Sequence, residues 1–366
     1  MNIIDSIESL QEVLSKVDKS IVFPIYCNNV QHSMNNELSL LIFIIESEYY
    51  ILPINHPEAV WTVDYNSLNT HLEGKTLYTP DKNTLMYFIE CSLIDINMIN
   101  WIDTGNILDL ESYTTAHDFI SSKFWNRPDS NLIVPISKHL ERVQSFSTKL
   151  AQVATLPIQN ENYFNIYNNA IIPLLHQIER EGLFTSDNGY EYTQYNPYTT
   201  TGRPSNRFQG TNYAALNKED GSRERFISRF PNGKLIEMDF DAYHIRLIAD
   251  VLKYELPEGS VHEYLGKQYF DTDTLTKEQY NESKEISFRI LYGGVPKEFM
   301  QIEFFAKVDK LIKQLWYEFN DKNSIPTYLF KRPMYKKVLS NMTPQKLFNY
   351  YIQSLETESN ISILAE

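Results

Sequence analysis

Short apolar runs alternate with helical patterns over the first 150 residues. Residues 20–26 and 38–54 are rich in β-branched and aromatic side chains, which predicts buried strands. Apolar residues within 1–20 recur at helical spacing and predict a short helix. Two more strands are predicted in the same way at Glu58 to Val63 and Lys75 to Tyr78, and one more helix is predicted at Lys82 to Cys91. Strands interspersed with helices favour an α/β layer domain.

Helical spacing dominates the second half of the chain. A long helix is predicted from Asn162 to Glu181, with Gly182 ending it. Four later helices are predicted at His244 to Tyr254, Thr276 to Leu291, Val308 to Phe319 and Pro344 to Leu355. Ahead of these, Arg225 to Phe230 and Lys234 to Asp239 are predicted as two strands joined by the turn Pro231-Asn-Gly.

The composition excludes some classes of protein. With 42% apolar and 22% charged residues in 366, the chain is able to bury sizeable cores and is not wholly disordered. The net charge of −14 argues against a freestanding nucleic-acid-binding module. Residues 1–150 hold 19 acidic and 9 basic side chains, so an anionic partner is expected at the second half.

The number of cysteines and the length of the apolar runs indicate the cellular compartment in which the protein is expected. Cys27 and Cys91 are too few for a disulfide framework, which fits a reducing cytoplasm. The longest apolar run, Leu38 to Ile45, is too short to span a bilayer. We therefore expect a cytoplasmic protein that does not interact with membranes.

Lys284, Phe288 and Tyr292 form the first candidate site. They are spaced four residues apart on one predicted helix, so all three project from the same face. A cation, an aromatic ring and a phenol in a row suit a nucleotide, because the ammonium meets phosphate and the ring stacks on the base. The alternative is an ordinary amphipathic helix with two core aromatics.

The second candidate site is the stretch Ile236 to Arg246. An apolar strand would deliver Asp239 to its end, with Asp241 two residues on. Carboxylate oxygens at a strand end are ligands that Mg²⁺ prefers, so both are candidate metal ligands. The alternative is that Asp241 caps the helix that follows.

These stretches occur in order with others and together resemble the A-family DNA polymerases, the group of bacterial DNA polymerase I and its phage relatives. Thr199-Thr-Thr-Gly-Arg-Pro-Ser resembles the loop beside the primer-template, and Leu235 to Arg246 resembles the first palm motif. Lys284, Ile286, Phe288, Tyr292 and Gly293 match the fingers helix. Phe348-Asn-Tyr-Tyr-Ile-Gln353 resembles a later palm helix, and Ile172 to Leu183 resembles the helix that opens the polymerase domain.

The resemblance implies an α/β and α+β multidomain fold. Residues 1–155 would form a degenerate, ribonuclease H-like 3′–5′ exonuclease domain. Residues 160–366 would form the palm and fingers, with fingers at about 260–340. The implied activity is template-directed DNA synthesis with Mg²⁺, dNTPs and primer-template DNA.

The resemblance also implies a role for each matched residue. Asp239 would be catalytic and hold Mg²⁺, and His244 would lie beside the sugar. Lys284, Lys277, Phe288 and Tyr292 would bind the nucleotide. Contacts to primer-template DNA are implied for Arg203, Arg246, Asn349 and Gln353, and the cluster around Arg223 and Arg225 could neutralise its backbone.

Several departures from the family pattern change the expectation. His244 stands where the family has a glutamate that crowds the ribose 2′-hydroxyl, and Tyr280 replaces an arginine one turn before Lys284. There is no room for the family's thumb between Gly182 and Tyr190. The last palm hairpin, which carries a second catalytic carboxylate, would lie beyond Glu366. Asp241, Glu356 or Glu358 would have to replace it, or a second polypeptide would supply it; we favour a split polymerase completed by that polypeptide.

The N-terminal domain departs further from its family counterpart. Val22 to Cys27 occupies the place of a strand that should present two acids, and it has none; only Asp81 matches a metal ligand. We therefore expect no proofreading activity. The competing hypotheses are a catalytically inactive relative that binds primer-template DNA or a replication partner, and an unrelated α/β protein.

Overall fold

A computed structural model describes residues 2–27, 32–108, 110, 134–207, 211–217 and 220–365, without the side chain of Arg207. The chain divides into two compact units. The first comprises Met1–Asn196 with Ser205–Gly233, and the second comprises Pro197–Pro204 with Lys234–Glu366. The proposed division into an exonuclease-like domain at 1–155 and a polymerase region at 160–366 stays a prediction.

A six-stranded mixed sheet organises the first unit. Its strands, in chain order, are β1 (Asn2–Ile3), β2 (Ser20–Tyr26), β3 (Leu38–Ile45), β4 (Glu48–Pro53), β5 (Thr76–Thr79) and β6 (Ser92–Asp95). The spatial order is β1-β4-β3-β2-β5-β6. The central strands β2, β3 and β4 are antiparallel, and the other three pairings are parallel. All residues of β2 and β3 are buried, which is why their sequences are continuously apolar rather than alternating.

Helices of the first unit pack around this sheet. They are α1 (Ile7–Ser15), α2 (Tyr65–Leu72), α3 (Lys82–Leu85), α4 (Ile96–Thr104), α5 (Ile136–Ala154), α6 (Glu161–Ile166) and α7 (Ile172–Glu181). A π-helical turn, Tyr167–Ile171, joins α6 to α7. Pro173 follows it at the start of α7 and lacks the N–H that an α-helix would use there. The predicted long helix is thus present, with this interruption, and it ends at Gly182 with φ of 59°.

Two predictions for this unit were wrong. Glu58 to Val63 forms no strand, because Glu58 accepts a hydrogen bond from the N–H of Ile136 (2.9 Å) and the chain turns at His56. The helix predicted to reach Cys91 stops at Leu85. Turns follow it, with the N–H groups of Tyr87 and Phe88 donating to the carbonyls of Thr84 (3.1 Å) and Leu85 (3.0 Å), and the N–H of Glu90 donates to the Asn69 side chain at 2.9 Å.

Two short antiparallel strand pairs complete the first unit. β7 (Leu183–Phe184) pairs with β8 (Tyr190–Glu191), and β9 (Gln194–Asn196) pairs with β10 (Ser205–Arg207). Arg225 to Phe230 was wrongly predicted as a strand: it contributes one isolated bridge, between Phe226 and Thr185.

Five helices build the second unit. They are α8 (Tyr243–Leu252), α9 (Val261–Tyr269), α10 (Lys277–Gly293), α11 (Glu303–Lys322) and α12 (Pro344–Leu364), with a small hairpin of β11 (Ser324–Pro326) and β12 (Pro333–Tyr335). All four helices predicted here are confirmed. Each contributes to one core, whose fully buried members include Val261, Leu265, Ile290, Phe304, Phe319 and Leu347.

The strand predicted at Lys234 to Asp239 is not formed. The segment has no regular secondary structure, and its large apolar side chains are exposed, from 54% at Leu235 to 90% at Met238. A strand needs a neighbour to satisfy its backbone groups, and none of the described strands pairs with this segment. No helix of the described residues is long and apolar enough to cross a membrane.

Glu358 shows how the second unit holds its hairpin. The side chain is 1% exposed, and its Oε2 accepts hydrogen bonds from the N–H groups of Leu329 (2.9 Å) and Phe330 (3.3 Å). Burial raises the pKa of this carboxyl above its usual value. Glu358 is therefore a structural residue, and the alternative in which it replaces the missing catalytic carboxylate does not hold.

This raised pKa predicts a pH effect on stability. Because the folded state binds the Glu358 proton more tightly than the unfolded state, stabilisation from this group is full below the usual value of 4.5 and is lost as pH rises through the raised value. We expect the free energy of unfolding of wild type, relative to Glu358→Gln, to increase as pH falls from 7 to 4.5. Urea unfolding of both proteins across that range measures it, and a constant difference would contradict the assignment.

Candidate functional site

Helix α10 separates a buried face from an exposed one. It begins with a capping box in which the side chain of Thr276 accepts from the N–H of Gln279 (3.2 Å) and that of Gln279 accepts from the N–H of Thr276 (2.9 Å). Its buried residues are Ser283, Ile286, Ser287, Ile290 and Leu291. Lys284, Phe288 and Tyr292 project from another face, as the spacing predicted.

The row of Lys284, Phe288 and Tyr292 lies outside the core cluster of the second unit. Phe288 is 46% exposed, so the alternative of two core aromatics fails for this residue. The rings of Phe288 and Tyr292 are parallel, with centroids 6.0 Å apart and an interplanar angle of 3°. Lys284 Nζ lies 4.5 Å from the ring centroid of Tyr280, which places an aromatic face under the ammonium. The row can thus offer one cation and two aligned rings to a ligand.

His262 adds a buried imidazole beside this row. The residue is 5% exposed, and its ring centroid lies 6.2 Å from that of Phe288. Burial, and then the charge of Lys284, lower its pKa, so the ring is neutral at pH 7. Its Nδ1 is buried without a hydrogen-bond partner among the described residues.

His244 joins three helices of the second unit. It lies in the first turn of α8; its Nε2 is 3.0 Å from Oε2 of Glu356 on α12, and its Nδ1 makes a very short hydrogen bond with the hydroxyl of Tyr292 on α10. The side chains of His244 and Glu356 are 18% and 19% exposed. We call these three residues the His244 network.

The charges around the His244 network act in opposite directions. Burial raises the pKa of Glu356, but the hydrogen bond and charge of His244 and the charge of Arg203 outweigh it, so the pKa lies below its usual value. Burial raises the pKa of the Tyr292 phenol, the charge of Glu356 adds to that, and Arg203 opposes it. Arg203 itself is exposed and close enough to influence both groups.

Asp239 and Asp241 lie in the exposed segment before α8. Asp239 is exposed, and the Asp241 side chain is 61% exposed with its Oδ2 3.5 Å from Nη2 of Arg246. Asp241 does not cap α8: the N-cap is Ala242, with φ of 46° and no side-chain hydrogen bond. The capping alternative is therefore wrong, and Arg246 instead holds the turn by donating from Nε to the Asp241 carbonyl at 3.1 Å.

Two carboxylates do not by themselves make a metal-ion pair site. Groups of three or more His, Cys, Asp or Glu able to hold a metal ion are absent from the described part of the chain. Glu356, one of the alternatives for the missing carboxylate, is engaged by His244. Asp239 and Asp241 suit Mg²⁺ as hard oxygen donors, but a two-ion arrangement needs further ligands.

Helix α12 presents a polar face along its length. Asn349, Gln353, Glu356 and Asn360 succeed one another at intervals of four, three and four residues, which places them on one side of the helix. Among the described residues the buried Asn349 Oδ1 has no hydrogen-bond partner, and Asn360 accepts a hydrogen bond from the Tyr243 hydroxyl at 3.1 Å. Asn349 and Gln353 thus share a face with the one carboxylate that reaches His244.

The other predicted binding residues lie elsewhere. Lys277 is exposed in the first turn of α10. Arg223 and Arg225 belong to the first unit: Arg223 Nε donates to the carbonyl of Leu216 at 3.0 Å, and Arg225 pairs closely with Glu191. Part of the positive charge expected there is therefore already neutralised.

Sequence reasoning missed two members of this site. From the sequence, Tyr280 was seen only as the residue that replaces an arginine of the family pattern, whereas in the structure its ring lies under the ammonium of Lys284. Glu356 was considered only as a metal ligand, because its contact with His244 joins residues 112 positions apart. The spacing of Glu356 from Asn349 and Gln353 on one helix face was the available signal.

Comparison with known proteins supports the fold. No family model matches the chain, and no curated protein matches it. Among solved structures, the chain is similar to the polymerase domain of Pol1 from M. smegmatis, determined in complex with DNA primer-template and dNTP. The TM-score is 0.72 at 10% sequence identity, over 100% of this chain and 88% of that one. The protein therefore has the mixed α/β fold of a DNA polymerase domain, and the similarity is one of fold.

The two faces of α10 predict unequal losses of stability on truncation. Ile290→Ala, at a position that is 0% exposed, should lower the free energy of unfolding by about 2–5 kcal/mol. Phe288→Ala should cost about 1 kcal/mol or less, because the ring is half exposed and loses mainly its stacking on Tyr292. Urea unfolding of both variants measures this, and equal losses would show that Phe288 serves the core.

Proposed function

We propose that this protein carries out template-directed DNA synthesis as an A-family DNA polymerase. The observation that carries the proposal is the row of Lys284, Phe288 and Tyr292 outside the core, with His244 bonded to its last member. The polymerase-domain fold supports this proposal, because the row lies on the helix whose sequence resembles the fingers helix of the A-family polymerases.

The chemistry assigns each group a positioning task. Lys284, with Lys277 near the start of the same helix, would attract the triphosphate, and Phe288 would stack on the base. Tyr292 and His244 would face the sugar. Arg203, Arg246, Asn349 and Gln353 would contact primer-template DNA. Bound Mg²⁺, held by Asp239 and Asp241, would neutralise charge on the phosphates; catalysis of this kind is mostly positioning and charge neutralisation.

We also propose that a second polypeptide completes the site. The segment 234–240 supports this: Leu235, Ile236, Met238 and Phe240 are 54–90% exposed, and none of the described strands pairs with the segment. Exposed apolar side chains on a segment outside any sheet are what an incoming strand would cover. A hairpin carrying a further carboxylate would pair here, next to Asp239.

One observation favours a second candidate function. With two exposed carboxylates and no third donor beside them in the described ranges, the chain alone is short of ligands for a metal pair. A catalytically inactive relative that binds primer-template DNA would need no metal pair, only the basic side chains and aromatic rings that contact the DNA. The experiment below separates the two.

Primer extension on a primed template with Mg²⁺ and dNTPs tests the synthesis proposal. We expect extension by the chain mixed with the polypeptide encoded beside it, and a loss of about 100-fold or more in Asp239→Asn, because the carboxylate is fixed charge at the reacting phosphate. Asp250→Asn is the control, since Asp250 is exposed on α8 and pairs only with Lys253 (3.4 Å). DNA binding without extension under either condition would favour the inactive relative.

The surroundings of Asp81 in the first unit lead us to expect no proofreading exonuclease activity. Both oxygens of the Asp81 carboxylate are engaged: Oδ2 accepts from the hydroxyl of Tyr26 (3.1 Å), and Oδ1 accepts from the N–H of Thr84 (3.3 Å). The strand β2 offers no acid. We expect 5′-labelled single-stranded DNA to keep its length with Mg²⁺ or Mn²⁺, equally for wild type and Asp81→Ala. Shortening that Asp81→Ala abolishes would overturn this.

A further inference from the structure

We propose that Arg332 is a positioning residue for DNA binding: it holds the loop Pro197–Pro204 against the hairpin of β11 and β12 and thereby presents Arg203 to primer-template DNA. We call this segment the Arg203 loop. The inference rests on the proposed function, from which it takes the contact of Arg203 with DNA, and it adds the residue that sets the place of this contact.

The Arg203 loop is built on a tight turn. The N–H of Gly202 donates to the carbonyl of Thr199 at 3.0 Å, and Gly202 has φ of 77°, which glycine adopts at little cost. The hydroxyl of Thr199 donates to the carbonyl of Arg203 at 2.8 Å and so fixes the residue after the turn. Thr201 and Gly202 are buried, whereas Arg203 is exposed. The protein thus holds the turn and leaves its arginine accessible to a ligand.

The carbonyl of Thr200 is the part of this turn that depends on a partner outside it. A β-turn engages the carbonyl of its first residue, here Thr199, and leaves that of its second residue outside the turn's own hydrogen bond. Arg332 supplies the donor, because its Nη2 lies 2.6 Å from the Thr200 carbonyl. A charged donor makes a stronger hydrogen bond than a neutral one, and its removal would leave the carbonyl of this half-buried residue unsatisfied.

Arg332 is itself firmly held in the hairpin. The residue is 2% exposed; its N–H donates to Oγ1 of Thr327 at 3.0 Å, and its carbonyl accepts from the N–H of Thr327 at 2.9 Å. Glu358 secures the same turn of the hairpin through two backbone N–H groups. Burial of a guanidinium is costly unless its donors are used, and the bond to Thr200 uses one of them.

The Arg203 loop lies within electrostatic reach of the candidate site. Burial is the largest influence on the pKa of Tyr292 and on that of Glu356, and the charge of Arg203 opposes it at both residues. Arg332, in contrast, is too deeply buried to contact DNA itself. Any effect of Arg332 on DNA affinity therefore has to be transmitted, and its bond to Thr200 provides the route.

Hydrogen exchange of the full chain tests the tie between Arg332 and the loop without any ligand. The side chain introduced by Arg332→Met cannot donate to Thr200, so we expect the backbone amides of a peptide covering residues 198–204 to exchange about tenfold faster than in wild type. Peptides from α10 should exchange as in wild type. An unchanged rate in the loop peptide, or an equal acceleration in all peptides, would show that Arg332 does not position this loop.

Fluorescence anisotropy with labelled primer-template DNA tests the consequence in a double-mutant cycle. We expect Arg203→Ala to raise the Kd about tenfold and Arg332→Met to raise it about fivefold. The double variant should bind no more weakly than Arg203→Ala alone, because both residues act through one contact. Lys313→Gln is the control, since it also removes one positive charge, from an exposed side chain on α11 that pairs with Asp309 at 2.6 Å, and the Kd should change by less than about twofold.

Two outcomes of the cycle would overturn the inference and leave the proposed function intact. One is binding that weakens in Arg203→Ala but not in Arg332→Met, and the other is a pair of effects that multiply in the double variant. If the wild-type chain does not bind primer-template DNA, alone or mixed with the second polypeptide, the proposed function fails and this inference fails with it.

A second variant keeps the inference testable if Arg332→Met does not fold. Arg332→Gln retains a polar side chain in the hairpin, but its amide is too short to reach the Thr200 carbonyl. We expect the same local acceleration of exchange at residues 198–204 and a Kd raised about fivefold, again without addition to the effect of Arg203→Ala. Wild-type exchange in the loop together with a wild-type Kd would overturn the inference.

Discussion

The burial of one face of α10 is the constraint on which the candidate site depends. Ile286, Ile290 and Leu291 anchor this helix in the core of the second unit, and they fix its rotation about its own axis. Once that rotation is set, Lys284, Phe288 and Tyr292 have to point away from the core. The orientation of this candidate row is therefore a geometrical consequence of apolar packing. Its precision comes from well-packed neighbours such as Leu265, which is fully buried against the same cluster.

Hydrogen bonds then refine what packing sets. The contact of His244 with Tyr292 and Glu356 connects α8, α10 and α12 at partly buried positions, where such bonds are stronger than at an open surface. Glu358, two residues beyond Glu356, has the opposite role: it is buried, and it satisfies backbone donors of the hairpin between β11 and β12. Of these two glutamates on one helix, Glu356 thus contacts the candidate site and Glu358 holds the hairpin, and the direction of their pKa shifts differs accordingly.

The acidic character of the chain is compatible with an anionic ligand because the charge is local. The net charge of −14 is a property of the whole chain, whereas the row on α10 and Arg203 provide cations at one place. The cations of the first unit are partly neutralised, as in the pairs of Arg225 with Glu191 and Arg229 with Glu181. The segment 234–240 remains the feature of the second unit with the most exposed apolar surface, and covering it would remove a liability to aggregation.

The sequence by itself determined the local features of this protein. The 3.6-residue period and the cap at Thr276 specified α10 and the alignment of its three candidate side chains, because helix geometry depends on near neighbours in the chain. The continuous apolar sequences of β2 and β3 likewise predicted buried strands. Tertiary structure alone decided the rest. Lys234 to Asp239 has the composition of a strand, but none of the described strands pairs with it, and pairing is a property of two segments. Similarly, the contact of Glu356 with His244 spans 112 residues and exists only because α8 and α12 pack together, which no local pattern encodes.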